Sequence, residues 1–304
     1  MNLPTVHPVD RSVGISQRMR TKILIPLEIL AVFALIVVLR VVLRPTSIVQ
    51  WEKQNLGWPY TLNLLIIGLI ALVMLLTRRS WAEYGVSIKN WPTDLDLGFK
   101  AYLIRILPAV AATFGPAWLG LKLSELKQGI FDLLPWIIAI GLIVWVLNRH
   151  KEVKSGRTNL IATAVFLIFP IGLALAYNKL SLVIVSTVIW QFIFSGFGEE
   201  FIFRGYFQSR LNQAFGRPMR LFGIQFGAGL IVASLLFGLL HAFNSFDPAI
   251  GISSLSWGSA IASSVAGLFF GVLREKTGSL LAPGIAHGLP DAVGEPMKII
   301  FGWM

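Results

Sequence analysis

The sequence predicts an all-α, polytopic transmembrane bundle of about eight or nine helices, on three observations. Of the 304 residues, 55% are hydrophobic and 13% charged, with a mean hydropathy of +0.73, far above what a soluble domain needs to fill one core. The apolar residues fall in runs close to the roughly 20 residues that cross a bilayer. Trp51, Trp58, Tyr60, Trp81, Tyr84 and Trp91 flank the second run on both sides, as aromatic belts do at membrane interfaces.

The first run, 23–43, follows a basic tail, 1–22, that carries Arg11, Arg18, Arg20 and Lys22. It lacks the short apolar stretch and small-residue cleavage pattern of a signal peptide, so it is expected to remain as a helix. Further helices are expected near 60–77, 97–120, 133–148, 159–177, 180–198, 221–243, 257–273 and 280–302. If the tail is cytoplasmic, the inside segments hold 17 basic residues and the outside loops six, namely Arg40, Arg44, Lys53, Lys122, Lys127 and Lys179. This asymmetry favours an integral multi-pass protein with a cytoplasmic N-terminus. The working division is a tail (1–22), N-terminal transmembrane helices (23–158) and a core (159–304) in which glycines such as Gly196, Gly238, Gly267 and Gly288 permit close helix approach.

The net charge of +11 is spread over short loops and forms no single basic face, so the expected partner is the lipid bilayer and not nucleic acid. The absence of cysteine excludes disulfides, thiolate metal ligands and cysteine nucleophiles.

Within this apolar chain Gly198-Glu199-Glu200-Phe201-Ile202-Phe203-Arg204-Gly205 stands out, since each unpaired charge in hydrocarbon costs roughly 2.5–3.5 kcal/mol. On a helix Glu200 and Arg204 are four apart and share a face, whereas Glu199 is turned by about 100° from Glu200. Glu200 is thus the structural partner of Arg204, and Glu199 the candidate base. The bland alternative is an ion network of both acids with Arg204 and Arg210. Two histidines follow in apolar surroundings. His241 lies four residues after Phe237, which sets ring against imidazole, and His287 lies four before Asp291, with Pro290 distorting that turn. Each alone is compatible with an ordinary helix contact. Together, two acids, two histidines and an arginine from three apolar segments point to one polar site inside the bundle.

These residues resemble the CPBP family of intramembrane endopeptidases, which includes the CAAX prenyl proteases of the Ras-converting type and the bacteriocin-related Abi proteins. The family's paired glutamates with a following arginine fall on Glu199, Glu200 and Arg204, its Phe-x-x-x-His on Phe237 and His241, and its His-x-x-x-Asn/Asp on His287 and Asp291. The resemblance covers roughly 181–304. It implies a hydrolase in which Glu199, assisted by His241, activates water against a peptide carbonyl of a membrane-associated peptide or protein substrate, with His287 and Asp291 stabilising the oxyanion. An ionised aspartate cannot donate a hydrogen bond, so Asp291 either stays protonated, orients His287 as an acceptor, or binds a metal. Glu199, His241 and His287 also match the ligand types of a catalytic site for Zn or another divalent metal, in which case Glu200 becomes the base. Two non-proteolytic alternatives use the same residues: a membrane scaffold or bacteriocin-immunity protein, and a proton-coupled transporter.

A helix over 221–243 would carry His241 some 30 Å from its start, away from Glu199. The Glu199 helix is therefore expected to continue to about Leu211, with the next helix starting late, after Gly216-Arg217-Pro218.

Overall fold

The computed structural model describes residues 11–303, with side chains from residue 22 onward. The first ten residues of the expected tail lie outside the described residues. From Arg11 the chain is already helical and runs without a break into the first span, so α1 is Arg11–Leu43. A short α2 (Ser47–Leu56) ends at Gly57, whose φ of +82° turns the chain by 116° into α3 (Tyr60–Leu76). A residue with a side chain is strained at that φ, which is why glycine closes the helix.

Next come α4 (Trp91–Trp118), α5 (Glu125–Phe131), α6 (Leu133–Arg149) and α7 (Arg157–Ala176). Then α8 (Leu182–Ile189) continues through π-helical turns at Trp190–Gly198 and Phe201–Gln208 into α9 (Ser209–Phe215), a continuous span of 34 residues. Gly216 (φ +71°) and Pro218 end it, the proline because it has no N–H with which to continue. An antiparallel hairpin of β1 (Met219–Leu221) and β2 (Ile224–Phe226) follows. The last three helices are α10 (Ala228–Ala242), α11 (Trp257–Thr277) and α12 (Leu281–Phe301).

Among the described residues seven helical segments are long and apolar enough to cross a membrane, eight if the bent pair α2–α3 counts as one span. The ninth expected span, α12, is a full-length helix, but every 18-residue window of it holds Asp291, Glu295 and Lys298, too much charge for a lipid-facing helix. The late start of α10 and the extension of the preceding helix to Phe215 agree with the register that the Glu199–His241 encounter requires. The windows missed α2, α5 and the hairpin, all too short for a hydropathy signal.

Burial separates the helices into a shell and a core. Within their most apolar windows, α7 buries 17% of its residues and α1 22%, whereas the 182–215 helix and α11 each bury 56% and α10 50%. The shell helices turn Leu30, Leu72, Leu142 and Ile168 outward, the expected arrangement where the surrounding solvent is hydrocarbon. Inward, Ile36 of α1 and Ile70 of α3 pack with Phe203, Phe207 and Phe237; on the other side Ala139 and Ile143 of α6 pack with Phe269 and Phe270 of α11.

The crossing of the long helix with α12 is set by two glycines. A Cβ at Gly196 would stand 2.5 Å from the Gly288 Cα, so the backbones touch at this point. Gly196→Ala is expected to force them apart and to lower stability by about 1–3 kcal/mol, read as a lower unfolding midpoint in detergent. An unchanged midpoint would show that α12 shifts freely at this crossing.

Candidate active site

Three interior helices each deliver one polar motif to the same place. The long helix brings Glu199, Glu200 and Arg204 at the junction of its two π-helical stretches, where one extra residue per turn re-aims the side chains. His241 comes from the last turn of α10, and His287 and Asp291 from the middle of α12.

Arg204 and Glu200 form the buried floor. Both are fully excluded from solvent, and Arg204 Nη1 donates to Glu200 Oε1 at 3.1 Å while Nη2 donates to the Gly267 carbonyl at 3.0 Å. The guanidinium lies 4.4 Å from the Phe237 ring centre and 5.4 Å from that of Phe270, so its faces meet aromatic π-clouds. Arg210 takes no part in this floor; it pairs with Glu28 of α1 at 2.6 Å.

Glu200 in turn fixes His287, whose Nδ1 lies 2.9 Å from Glu200 Oε1. A carboxylate only accepts, so Nδ1 carries the proton and Nε2 points the other way. Phe270 stacks on the imidazole at 4.6 Å and 11°, and Phe237 stands edge-on at 5.7 Å. His241 is oriented by the same device, Nδ1 donating to its own Phe237 carbonyl at 2.9 Å, with the two rings 4.4 Å apart.

Both Nε2 atoms converge on Glu199 Oε2, His241 from 3.9 Å and His287 from 4.0 Å. That oxygen is buried and has no hydrogen-bond partner among the described residues. Glu199 and Glu200 therefore differ as their helical offset predicts: one is locked to Arg204 and His287, the other faces a cavity of about 650 Å³. Glu199, His241 and Asp291 line it together with Arg40, Arg44 and Lys53.

Asp291 is not free. Its two oxygens lie 2.9 and 3.1 Å from Arg105 Nη2 on α4, and its Oδ2 is 3.9 Å from His287 Nε2. Arg105 escaped the sequence reading, although an arginine at the i+7 position of the stripe Gly98, Ala101, Tyr102 within an apolar run was a usable signal. Arg40 escaped it too, counted as a loop charge at the end of α1. Its Nη2 lies 3.8 Å from Glu199 Oε1 and its Nη1 donates to Asn244 just past α10. Arg44 donates to the Phe243 and Asn244 carbonyls, so the end of α1 holds the chain in place next to His241.

Glu199, His241 and His287 have the donor types of a zinc site, but tetrahedral bonds of about 2.0–2.1 Å place donors about 3.4 Å apart, closer than these. Among the described residues no three His, Asp or Glu side chains form a group that could hold a metal. The spacing suits a water molecule hydrogen-bonded between them.

Residues 181–293 match a family model described as Rce1-like, type II CAAX prenyl endopeptidase Rce1-like. The matched segment spans the long helix, α10, α11 and the part of α12 that carries His287 and Asp291. Among curated proteins and solved structures no match is found.

Proposed function

We propose, from the match of residues 181–293 to an Rce1-like type II CAAX prenyl endopeptidase model, that this chain is an intramembrane endopeptidase that cleaves a membrane-associated substrate with water activated by Glu199 and His241. The observation that carries this reading is the unpartnered Glu199 Oε2, faced by two imidazole Nε2 atoms at 3.9 and 4.0 Å beside a cavity.

A water at that point donates one hydrogen bond to Glu199 Oε2 and the other to His241 Nε2, whose tautomer is fixed by the Phe237 carbonyl. Glu199 takes the proton as the water oxygen bonds to the scissile carbonyl carbon. With both ring nitrogens protonated, His287 donates Nε2–H to the oxyanion that develops while its Nδ1–H stays on Glu200. Collapse of the tetrahedral intermediate breaks the C–N bond, and Glu199 returns its proton to the departing amine. Arg204 touches no substrate in this scheme; it holds Glu200, and Glu200 holds His287. The excess of basic residues in alternate loops favours a cytoplasmic N-terminus.

The test uses the purified chain in liposomes with farnesylated and unmodified CAAX-ended peptides, products being identified by mass spectrometry. Cleavage is expected, and His241→Ala is expected to lower kcat by about 100-fold or more with folding retained. Undiminished cleavage by His241→Ala, or no cleavage of any membrane-bound peptide, counts against the reading and favours a scaffold role.

A further inference from the structure

Pro290 has no N–H, so it cannot make the helical bond to the carbonyl four residues earlier, and its ring crowds that carbonyl. In α12 the carbonyl left without its donor is that of Ala286, immediately before His287. It is not abandoned. Arg105 Nη1, arriving from α4, lies 3.3 Å from the Ala286 oxygen and bonds more closely to the carbonyl of His287. The other nitrogen of the same guanidinium holds both oxygens of Asp291. One side chain thus completes the broken turn at its start and grips the acid at its end, with His287 between. Arg105 also lies 5.6 Å from the centre of the Phe270 ring, whose plane stacks on His287.

α4 is built to deliver this group. Gly98 sits against α12 so closely that a Cβ there would meet the Ala282 carbonyl and the Ile285 Cβ, each at 2.9 Å. Gly98, Ala101 and Tyr102 are buried on the stripe that Arg105 extends by one more turn. Asp291 lines the cavity and Arg105 does not, so the arginine works from behind.

We propose that Arg105 is a positioning residue: by completing the turn that Pro290 breaks and neutralising Asp291, it sets the angle at which His287 Nε2 meets the reacting carbonyl. The inference rests on the endopeptidase reading for its kinetic consequence, but the geometry it asserts concerns His287 alone. It also accounts for the acid at position 291. With Arg105 behind it, Asp291 forms a net-neutral pair, so an asparagine there would require a neutral residue at 105 as well.

The test is a cycle of Arg105→Gln, Asp291→Asn and the double variant R105Q/D291N in the full chain, with Arg105→Lys as the conservative change. Arg105→Gln is expected to lower kcat by about 10- to 100-fold with KM moved less than about threefold, the mark of misplaced machinery and not of lost substrate binding. Lysine restores the charge but cannot reach both carbonyls and the acid at once, so it recovers only part of the loss. The double variant is expected to recover part of the kcat that R105Q loses, because it restores neutrality at 291 but not the completed turn. Nitrogen NMR of the His287 imidazole in the intact protein supplies a readout that needs no substrate: R105Q should move its resonances and R105Q/D291N return them toward the parent. Resonances untouched by R105Q overturn the proposal whether or not any peptide is cleaved. A folded R105Q of parental kcat, or a double variant no better than R105Q, overturns it where cleavage is observed. Failure of the endopeptidase reading shows differently, as absence of cleavage by the parent while the imidazole still responds to R105Q.

Discussion

Glu199→Gln is expected to abolish peptide cleavage, with kcat lower by about 1,000-fold or more and the folded state intact. The change keeps the size and shape of the side chain and the acceptor oxygen that faces the two imidazoles. It removes only the ability to take a proton from water and return it to the leaving amine. General-base catalysis contributes about 100- to 10,000-fold, and a factor of 1,000 corresponds to about 4 kcal/mol at the transition state. Stability should change little, because Glu199 makes no close contact that holds the fold: Arg40 Nη2 stands 3.8 Å from its Oε1, and its Oε2 has no hydrogen-bond partner among the described residues. The measurement is single-turnover cleavage in liposomes alongside a thermal scan of the same preparation. A Gln variant retaining more than about a tenth of the parental rate would move the base elsewhere, and Glu200, which already holds Arg204 and His287, would be the residue to test next.

The contrast between the two adjacent glutamates was legible from the sequence because helical spacing alone turns them apart and places Arg204 beneath Glu200. So was the encounter between Glu199 and His241. A straight reading of the apolar windows kept those residues apart, and only a helix running past Gly205 to the Gly216-Arg217-Pro218 break could bring them together, which is where the chain turns. Other parts had no local signature. The π-helical winding on either side of Glu199 leaves the sequence with an ordinary apolar pattern, and the first of its stretches meets α12 at Gly196 and Gly288. Arg40 and Arg105 belong to helices 1 and 4, which carry no part of the three motifs; what makes them part of the site is a tertiary approach of α1 to the end of α10 and of α4 to α12. The short α2 and α5 were missed because helices of ten and seven residues are too brief for hydropathy to register. α12 was expected as a spanning helix from its length, but its Asp291, Glu295 and Lys298 exclude it from lipid contact, and the shell helices supply that contact instead.

Arg204→Met is expected to have the largest effect on stability of any single change in the site, about 3–5 kcal/mol, because it takes the guanidinium from a Glu200 carboxylate with no access to water and leaves it only the His287 hydrogen bond. The loss is not one of packing, since methionine fills much of the same volume between Phe203, Phe237 and Phe270. A double variant separates charge from shape. Replacing both partners, E200Q/R204M, removes the pair as a unit, and swapping a buried ion pair for neutral groups of similar size is often neutral or stabilising. The double variant should therefore regain most of the unfolding midpoint that R204M loses. It should not regain cleavage, because His287 Nδ1 then faces an amide in place of the carboxylate that accepts its hydrogen bond and fixes its tautomer. Unfolding midpoints in detergent, set against cleavage rates for the same three proteins, test both halves. An R204M protein as stable as the parent would mean that the floor of the site takes up water or a proton at no cost, and the division of labour between Glu199 and Glu200 would lose its physical basis.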